Sequence, residues 1–483
     1  MKFEQSLQKT MNATARTENG AVSNLTTNSS LLDLFSQIGA LRTGSGARSR
    51  IAQFDRAVSE DNLLALKILF HARDIRGGSQ ERETFRIFYK HLAMTRPEMA
   101  AKNLHLIPEY GRWDDLWCLL DTSLKSQVID LIKNQLISDA KSEKPSLMAK
   151  WLPSENTSSR ATCKLATLIR KELNLSSRDY RKVLSNLRSK INIVEKTMSQ
   201  RKWDKIVYEH VPSRASMKYR KAFKKHDEKR YNAFLTAVMN GEKKIHAGAL
   251  FPYEIVEKVM TTGQNETLEA LWKNLPNYFG ENADDSLVVA DVSGSMSGTP
   301  LYVSISLAMY MAERNRGIWN GKFITFSSNP KFNVLTGKTL FDKVNGLSRA
   351  QWDMSTDIEK VFDMILKAAQ DANLSNDEIV KRIFIISDME FDAARGHKSD
   401  HKTLFRTISD KYQKAGYTLP TLVFWNVRSA REQFPMSLDD TNFQMVSGCS
   451  PSILQYMFTN KNESAYEKMM TVLSSERYSA ITL

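Results

Sequence analysis

The sequence predicts two architectures in one chain: an all-α N-terminal region stacked as an irregular solenoid, and a C-terminal α/β region built on a doubly wound parallel sheet. Three observations predict it. From Leu31 to about Gly280 the apolar residues recur at spacings of three and four, as in Leu63, Leu64, Leu66, Ile68 and Leu69, which is the periodicity of one buried helix face. After Asp284 the pattern changes to short apolar runs alternating with amphipathic helices, the signature of strand–helix–strand units. The chain has 483 residues, more than one hydrophobic core usually fills.

Taken in order, residues 1–30 are polar and rich in Asn, Thr and Ser, with little to bury, so a flexible polar arm or a loosely attached cap is expected. Residues 31–280 read as helix after helix. Breaks at Gly77-Gly78, Pro97, Pro108, Pro145, Pro153, Pro212, Gly241 and Pro252 space the helices as in paired, HEAT-like stacking, although no sequence repeat recurs. Residues 281–483 form the α/β region. Its expected strands are Ser286–Ala290, Lys322–Phe326, Arg382–Ile386 and Thr421–Trp425, each short and rich in Val, Ile, Leu or Phe, as fully buried parallel strands are. Helices near Leu301–Arg316, Asp357–Ala372 and His401–Ala415 connect them. In such a Rossmann-like sheet the ligand site lies beyond the carboxyl ends of the strands.

Composition narrows the setting. The three cysteines, Cys118, Cys163 and Cys449, are far apart and form no CxxC pair, which argues against a disulfide framework and a zinc ribbon. No run of about 18 apolar residues occurs, so neither secretion nor membrane insertion is expected. A cytoplasmic protein is the expectation. The net charge of +14 is concentrated: residues 151–250 hold 23 Lys and Arg against 9 Asp and Glu, while residues 281–483 hold 22 against 24. A local cationic surplus suits a polyanionic partner, because neutralising phosphates releases condensed counterions; a solvated helix face is the plainer alternative.

The chemistry concentrates at one strand end. After Val288-Val289-Ala290 the chain reads Asp291-Val292-Ser293-Gly294-Ser295. A carboxylate and two hydroxyls on alternate residues of a tight turn can all face one hard cation, and Mg²⁺ needs few protein oxygens because it keeps several waters. Thr356 stands just ahead of an amphipathic helix, and Asp388 ends the strand Ile383–Ile386. The DxSxS–Thr–Asp arrangement resembles that of von Willebrand A domains. The resemblance implies a metal-ion-dependent adhesion site built from Asp291, Ser293, Ser295, Thr356 and Asp388, holding Mg²⁺ or another divalent cation with one position open for an acidic group of a protein partner. The Thr loop lacks the Gly-Gly usual in that family, so Ser355 and Thr356 both remain candidates.

A helical, basic region ahead of such a domain is similar to the layout of TROVE-module proteins, the Ro-type RNA-binding autoantigens. The strings Leu69-Phe70-His71-Ala72-Arg73-Asp74-Ile75-Arg76-Gly77-Gly78 and Ile107-Pro108-Glu109-Tyr110-Gly111-Arg112-Trp113-Asp114-Asp115 look closer to an uncharacterised sister family of the same layout. The resemblance implies RNA, single-stranded or structured with free ends, as partner. Candidate phosphate contacts are Arg178, Arg181, Lys182, Arg188, Lys202, Lys205, Arg214, Lys218, Arg220, Lys221, Lys224 and Lys225, with Tyr180, Trp203, Tyr208, Tyr219 and Tyr231 interleaved. Cations can follow phosphates while rings stack bases, yet aromatics at helical spacing more often belong to the core.

Other motifs fall away. Gly337-Lys338-Thr339 resembles the end of a P-loop, but Phe332 stands where the first glycine is required. Arg73–Gly78 reads as a helix C-terminal turn. The expected function is a nonenzymatic ribonucleoprotein component with a metal-dependent adhesion site. A protein–protein adaptor without RNA is the alternative. A phosphoryl-transfer enzyme is a poorer fit, since such catalysis commonly needs two metals held by several carboxylates.

Overall fold

The computed structural model describes residues 14–191, 193–279, 286–326, 330–348, 357–392, 403–438, 440–458 and 463–483. A short antiparallel hairpin, β1 (Thr14–Arg16) and β2 (Val22–Asn24), precedes the helices. The C-terminal sheet comprises β3 (Ser286–Asp291), β4 (Lys322–Phe326), β5 (Lys331–Val334), β6 (Arg382–Ser387), β7 (Thr421–Asn426) and β8 (Phe443–Ser447). Their order across the sheet is β5-β4-β3-β6-β7-β8. All neighbours are parallel except the edge strand β5, which runs antiparallel to β4. The sheet is therefore mixed. Four strands stand where the apolar runs place them, whereas β5 and β8 escaped notice: β5 alternates polar and exposed apolar residues, and β8 carries a buried Gln444 in its middle.

The alternation of side chains along β3 explains how the halves of the molecule are joined. Leu287 and Val289 face a core shared with helices Glu359–Asp371, Leu404–Lys414 and Ala465–Leu473, and with the helical residues up to Ile191. Val288 and Ala290 face the other core, shared with helix Thr299–Arg314 and the helical residues from Ile206 to Phe279. Helices thus cover both faces of the sheet, as the alternating pattern predicts. The change of pattern near residue 280 marks a change of secondary structure and not a change of core, because each part of the helical region shares its interior with one side of the sheet.

The N-terminal part is helical throughout, and its helices begin where side chains can cap them. Ser29 accepts from the Leu32 amide at the start of Ser30–Ile38, and Asp61 accepts from the Leu64 amide at the start of Asn62–Arg73, supplying partners for amides that the helix leaves free. The two ends of this region meet: the Arg42 guanidinium lies over the Phe251 ring, 4.9 Å from its centroid, and its Nε stands 3.1 Å from a carboxyl oxygen of Glu81.

One expectation is corrected. Residues 14–30 are not a loose arm, because their polar groups find fixed partners in the C-terminal half. The Thr17 hydroxyl donates to Phe391 O, the Glu18 amide to Glu390 Oε2, and the Asn24 amide to Phe434 O, at 2.6, 2.7 and 2.9 Å. Polarity there reflects hydrogen bonding to a neighbouring surface and not solvation. Residues 1–13 lie outside the described residues.

The two strings singled out in the sequence form fastenings. Asp115 is buried and accepts from Arg73 and Arg86, each at 2.8 Å, while Arg112 and Arg86 pair with Asp114. Asp74 turns the other way and accepts from Arg477. Helix Asn62–Arg73 ends there, as a C-terminal turn. At Gly78 a Cβ would fall 1.8 Å from His71 O, so only glycine lets the turn fold back; its own carbonyl accepts from the Ser452 hydroxyl of the C-terminal half at 3.1 Å.

Candidate metal centre

The parallel register of β3, β6 and β7 brings three chain reversals together at the carboxyl edge of the sheet. Asp291 is the last residue of β3 and is fully buried. Its Oδ1 accepts the Ser293 amide at 2.9 Å, and its Oδ2 accepts the Ser387 hydroxyl at 2.5 Å. The hydroxyls of Ser293 and Ser295 stand 3.1 Å apart on the same turn. From the neighbouring strand end, Asp388 Oδ1 accepts the Glu390 amide at 3.2 Å. Among the described residues Asp388 Oδ2 is buried without a hydrogen-bond partner.

Four of the five expected ligands are thus gathered in one place: Asp291, Ser293 and Ser295 on one turn, Asp388 on the next. Thr356 lies outside the described residues, as does Ser355; helix Glu359–Asp371 starts just beyond them. The backbone at Met389 has φ +67°, a left-handed conformation uncommon outside glycine. It turns the chain sharply between Asp388 and Glu390, with the Met389 amide donating to the Ser387 hydroxyl at 3.0 Å.

The electrostatics are those of a site short of positive charge. Burial and the nearness of Asp388 push the Asp291 carboxyl above its ordinary value, and burial does the same to Asp388 and to Glu390. Two buried carboxylates side by side disfavour each other's charged form. The donor set is hard oxygen only, which suits Mg²⁺ or a similar divalent ion in place of a soft metal. Asp388 Oδ2, which has a guanidinium nitrogen of Arg428 3.8 Å away but accepts no hydrogen bond from a described residue, is the polar atom that a cation would satisfy. Among the described residues no group of three or more His, Cys, Asp or Glu side chains is placed to hold a metal, so this centre rests on two carboxylates and two hydroxyls.

Two participants escaped the sequence reading. Ser387, which fixes the Asp291 carboxyl, sits one residue before Asp388 and is recognisable only once β6 is known to lie beside β3. Arg428 follows β7: its Nη1 donates to Ser295 O and lies 3.8 Å from Asp388 Oδ2. The rule that ligands gather at the carboxyl ends of adjacent parallel strands points to that loop as well.

The cationic candidates separate into two groups. Arg178, Arg181 and Lys182 are exposed on helix Ser177–Lys190, and Arg214, Lys218, Lys221 and Lys225 form an exposed stripe along helix Ser213–His226. Lys202, Lys205 and Lys224 are exposed too. The side chains of Arg178, Lys182, Lys202, Lys221 and Lys225 make no hydrogen bond or ion pair to any described residue, whereas Arg214 pairs with Glu254 at 2.6 Å. Arg188 is turned inward, donating to the carbonyls of Ala149 and Leu152 and to the Ser154 hydroxyl, and Arg220 is buried and donates to Met217 O. Tyr180, Tyr208 and Tyr231 are core residues, and Trp203 is stacked on His226 at 4.5 Å.

Comparison with known proteins gives relatives without an assigned activity. The chain is 29% identical to Uncharacterized protein L728 of Acanthamoeba polyphaga mimivirus, over 95% of this chain and 86% of that protein. It also superposes on the Ro (RSR) protein of Deinococcus radiodurans with a TM-score of 0.45 at 15% identity, covering 93% of this chain and 99% of that one. Residues 285–480 match the family described as Domain of unknown function (DUF7788). Residues 17–144 and 129–277, together more than half of the chain, match a second family that takes in both fastening strings, and the protein belongs to that family, described as Domain of unknown function (DUF2828).

Proposed function

We propose that the C-terminal half is a von Willebrand A-type domain that holds one divalent cation, most simply Mg²⁺, through Asp291, Ser293, Ser295, Thr356 and Asp388, and uses it to capture an acidic group of a protein partner. One observation carries this reading: the buried Asp388 Oδ2, which accepts no hydrogen bond from a described residue, beside a second buried carboxylate and two serine hydroxyls. Adhesion fits the site better than catalysis, because phosphoryl transfer commonly uses two metals and more carboxylates than these. The test is titration of the full-length protein with Mg²⁺ in a calorimeter, beside Asp291→Ala. Saturable binding that the substitution abolishes supports the reading; equal heats from both proteins overturn it.

A second activity is favoured by a separate observation. Lys221 and Lys225 on the exposed stripe of Ser213–His226, with Arg178 and Lys182 on Ser177–Lys190, offer charge that no described residue pairs, and RNA is the polyanion we assign to it. The protein then acts as a nonenzymatic ribonucleoprotein component in the cytoplasm, its helical part holding RNA and its metal centre holding a protein. Recovering the protein from cells and sequencing the copurified nucleic acid, with nuclease and chelator controls, tests this. Absence of RNA, with retention of a chelator-sensitive protein partner, leaves the adaptor reading.

A further inference from the structure

We infer that Arg428 is the specificity-determining residue of the metal centre, the group that makes it a receptor for oxyanions. The assignment rests on the metal reading above and adds to it the side chain that selects the acidic group captured there. Three observations support it. The first is position: β7 neighbours β6, Val427 N donates to Ser387 O at 3.1 Å, and Arg428 N donates to Asn426 Oδ1 at 3.0 Å, so the backbone that carries the side chain is fixed to the strand bearing Asp388. The second is direction: one guanidinium nitrogen reaches Ser295 O and lies 3.8 Å from the unpartnered Asp388 Oδ2, while the side chain keeps 34% of its surface exposed. The side chain is therefore at the centre and partly open to solvent.

The third is charge. Asp291 and Asp388 bring two negative charges when ionised, and a divalent cation cancels them. An arriving carboxylate would then meet a neutral centre, were it not for the guanidinium, which leaves a net positive charge at the mouth. A guanidinium also presents parallel N–H donors that match the two oxygens of a carboxylate, which a lysine ammonium does not. Without the divalent ion the same guanidinium, 3.8 Å from Asp388 Oδ2, opposes entry of a second cation. Arg428 thus weakens the hold on the metal and strengthens the hold on the ligand.

The experiment uses the full-length protein, Arg428→Gln and Arg428→Lys, with Asp291→Ala as the metal-free reference. Calorimetry with Mg²⁺ alone reads the first step, and fluorescence anisotropy of a labelled tetra-aspartate peptide, with and without chelator, reads the second. We expect Arg428→Gln to bind Mg²⁺ at least about threefold more tightly and to capture the peptide about tenfold more weakly in its chelator-sensitive part. Arg428→Lys should restore Mg²⁺ affinity to the parent value and only part of the capture. If the parent protein binds Mg²⁺ no better than Asp291→Ala, the metal reading and this inference fall together. If the parent binds Mg²⁺ but Arg428→Gln matches it in both measurements, this inference alone is overturned. Loss of Mg²⁺ affinity in Arg428→Gln would likewise overturn it, showing a residue that merely shapes the turn at Ser295.

Discussion

Arg477 grips Asp74 with two parallel hydrogen bonds of 2.9 Å, from Nε and from Nη2. The two residues belong to opposite ends of the chain, and the contact fastens the last turn of the C-terminal half to the end of helix Asn62–Arg73. Asp74 is wholly buried, whereas Arg477 keeps about a quarter of its surface exposed, at 27%. Tyr478 adds a hydroxyl on Asp74 at 3.2 Å, and the Arg477 guanidinium covers the Tyr110 ring at 4.5 Å. The fork geometry and the burial of the acceptor separate this pair from an ordinary surface ion pair.

Removing the arginine leaves a buried carboxylate without its counter-charge, a change that typically costs about 3 kcal/mol or more. Solvent at the arginine end screens part of this, so Arg477→Ala should lose about 2–3 kcal/mol in denaturant unfolding. Arg477→Lys should recover only part, since an ammonium cannot bond both oxygens. A loss below about 0.5 kcal/mol would show that Asp74 is held by Tyr478 and the backbone alone.

His71 should make the protein acid-sensitive. Its ring is buried against Phe35, Tyr456 and Tyr478, with Nδ1 2.9 Å from the Tyr478 hydroxyl, and burial pushes its pKa down to about 4 although Asp74 opposes this. The folded state therefore binds fewer protons than the unfolded state between about pH 4 and the ordinary histidine value near 6.5. Stability from this residue is full above that window and is lost as pH falls through it, by about 2 kcal/mol at pH 5. Glu81 acts in the opposite sense, since burial raises its carboxyl to about 7 against the pull of Arg42 and Arg73. Comparison with His71→Gln isolates the histidine: the parent should lose about 2 kcal/mol more than the variant between pH 7 and pH 5. Parallel curves would mean that the imidazole protonates in place.

The sequence discloses the candidate metal turn more readily than the surfaces that join the halves. Asp291, Ser293 and Ser295 lie within five residues on a strand end, so local pattern suffices to find them. Asp388 is found because a buried strand ends in a carboxylate. Ser387 and Arg428 depend on strand order, which no local pattern encodes. The hairpin of residues 14–24 is harder still, because its partners Glu390, Phe391 and Phe434 lie at the far end of the chain. Polar composition describes such a segment equally well whether water or a protein surface satisfies it. Arg188 and Arg220 show the same limit for charge: a basic run records how many cations exist, not which of them face outward.

Charge reversal tests the basic face directly. Lys221 and Lys225 lie on one exposed stripe and take no part in the packing, so the double substitution to Glu should leave the unfolding midpoint nearly unchanged. If RNA follows this stripe, its retention should fall at least tenfold near physiological salt, and the dependence of log K on log salt should flatten by about two phosphate contacts. Reversal of Arg188 or Arg220 should instead unfold part of the helical region, because Arg188 ties the carbonyls of Ala149 and Leu152 and Arg220 is itself buried. Unchanged RNA retention and salt slope in the Lys221–Lys225 variant would remove this face from the binding surface.

Asp388→Asn tests the proposed metal centre through its effect on stability with and without Mg²⁺. In chelator, the parent carries two adjacent buried carboxylates whose charged forms burial and mutual repulsion disfavour. A neutral side chain of the same shape removes one of them, so at pH 7 the variant should be at least as stable as the parent, by up to about 1–2 kcal/mol. Excess Mg²⁺ should reverse the order. A ligand that binds only the folded state stabilises it by RT ln(1 + [L]/Kd), about 2.7 kcal/mol at one hundred times Kd, and the variant has lost a ligand oxygen with its charge. Thermal unfolding of both proteins, in chelator and in Mg²⁺, should therefore give curves that exchange places. If Mg²⁺ moves both midpoints equally, or neither, the carboxylate pair is not a cation site, and the unpartnered Asp388 oxygen has another cause.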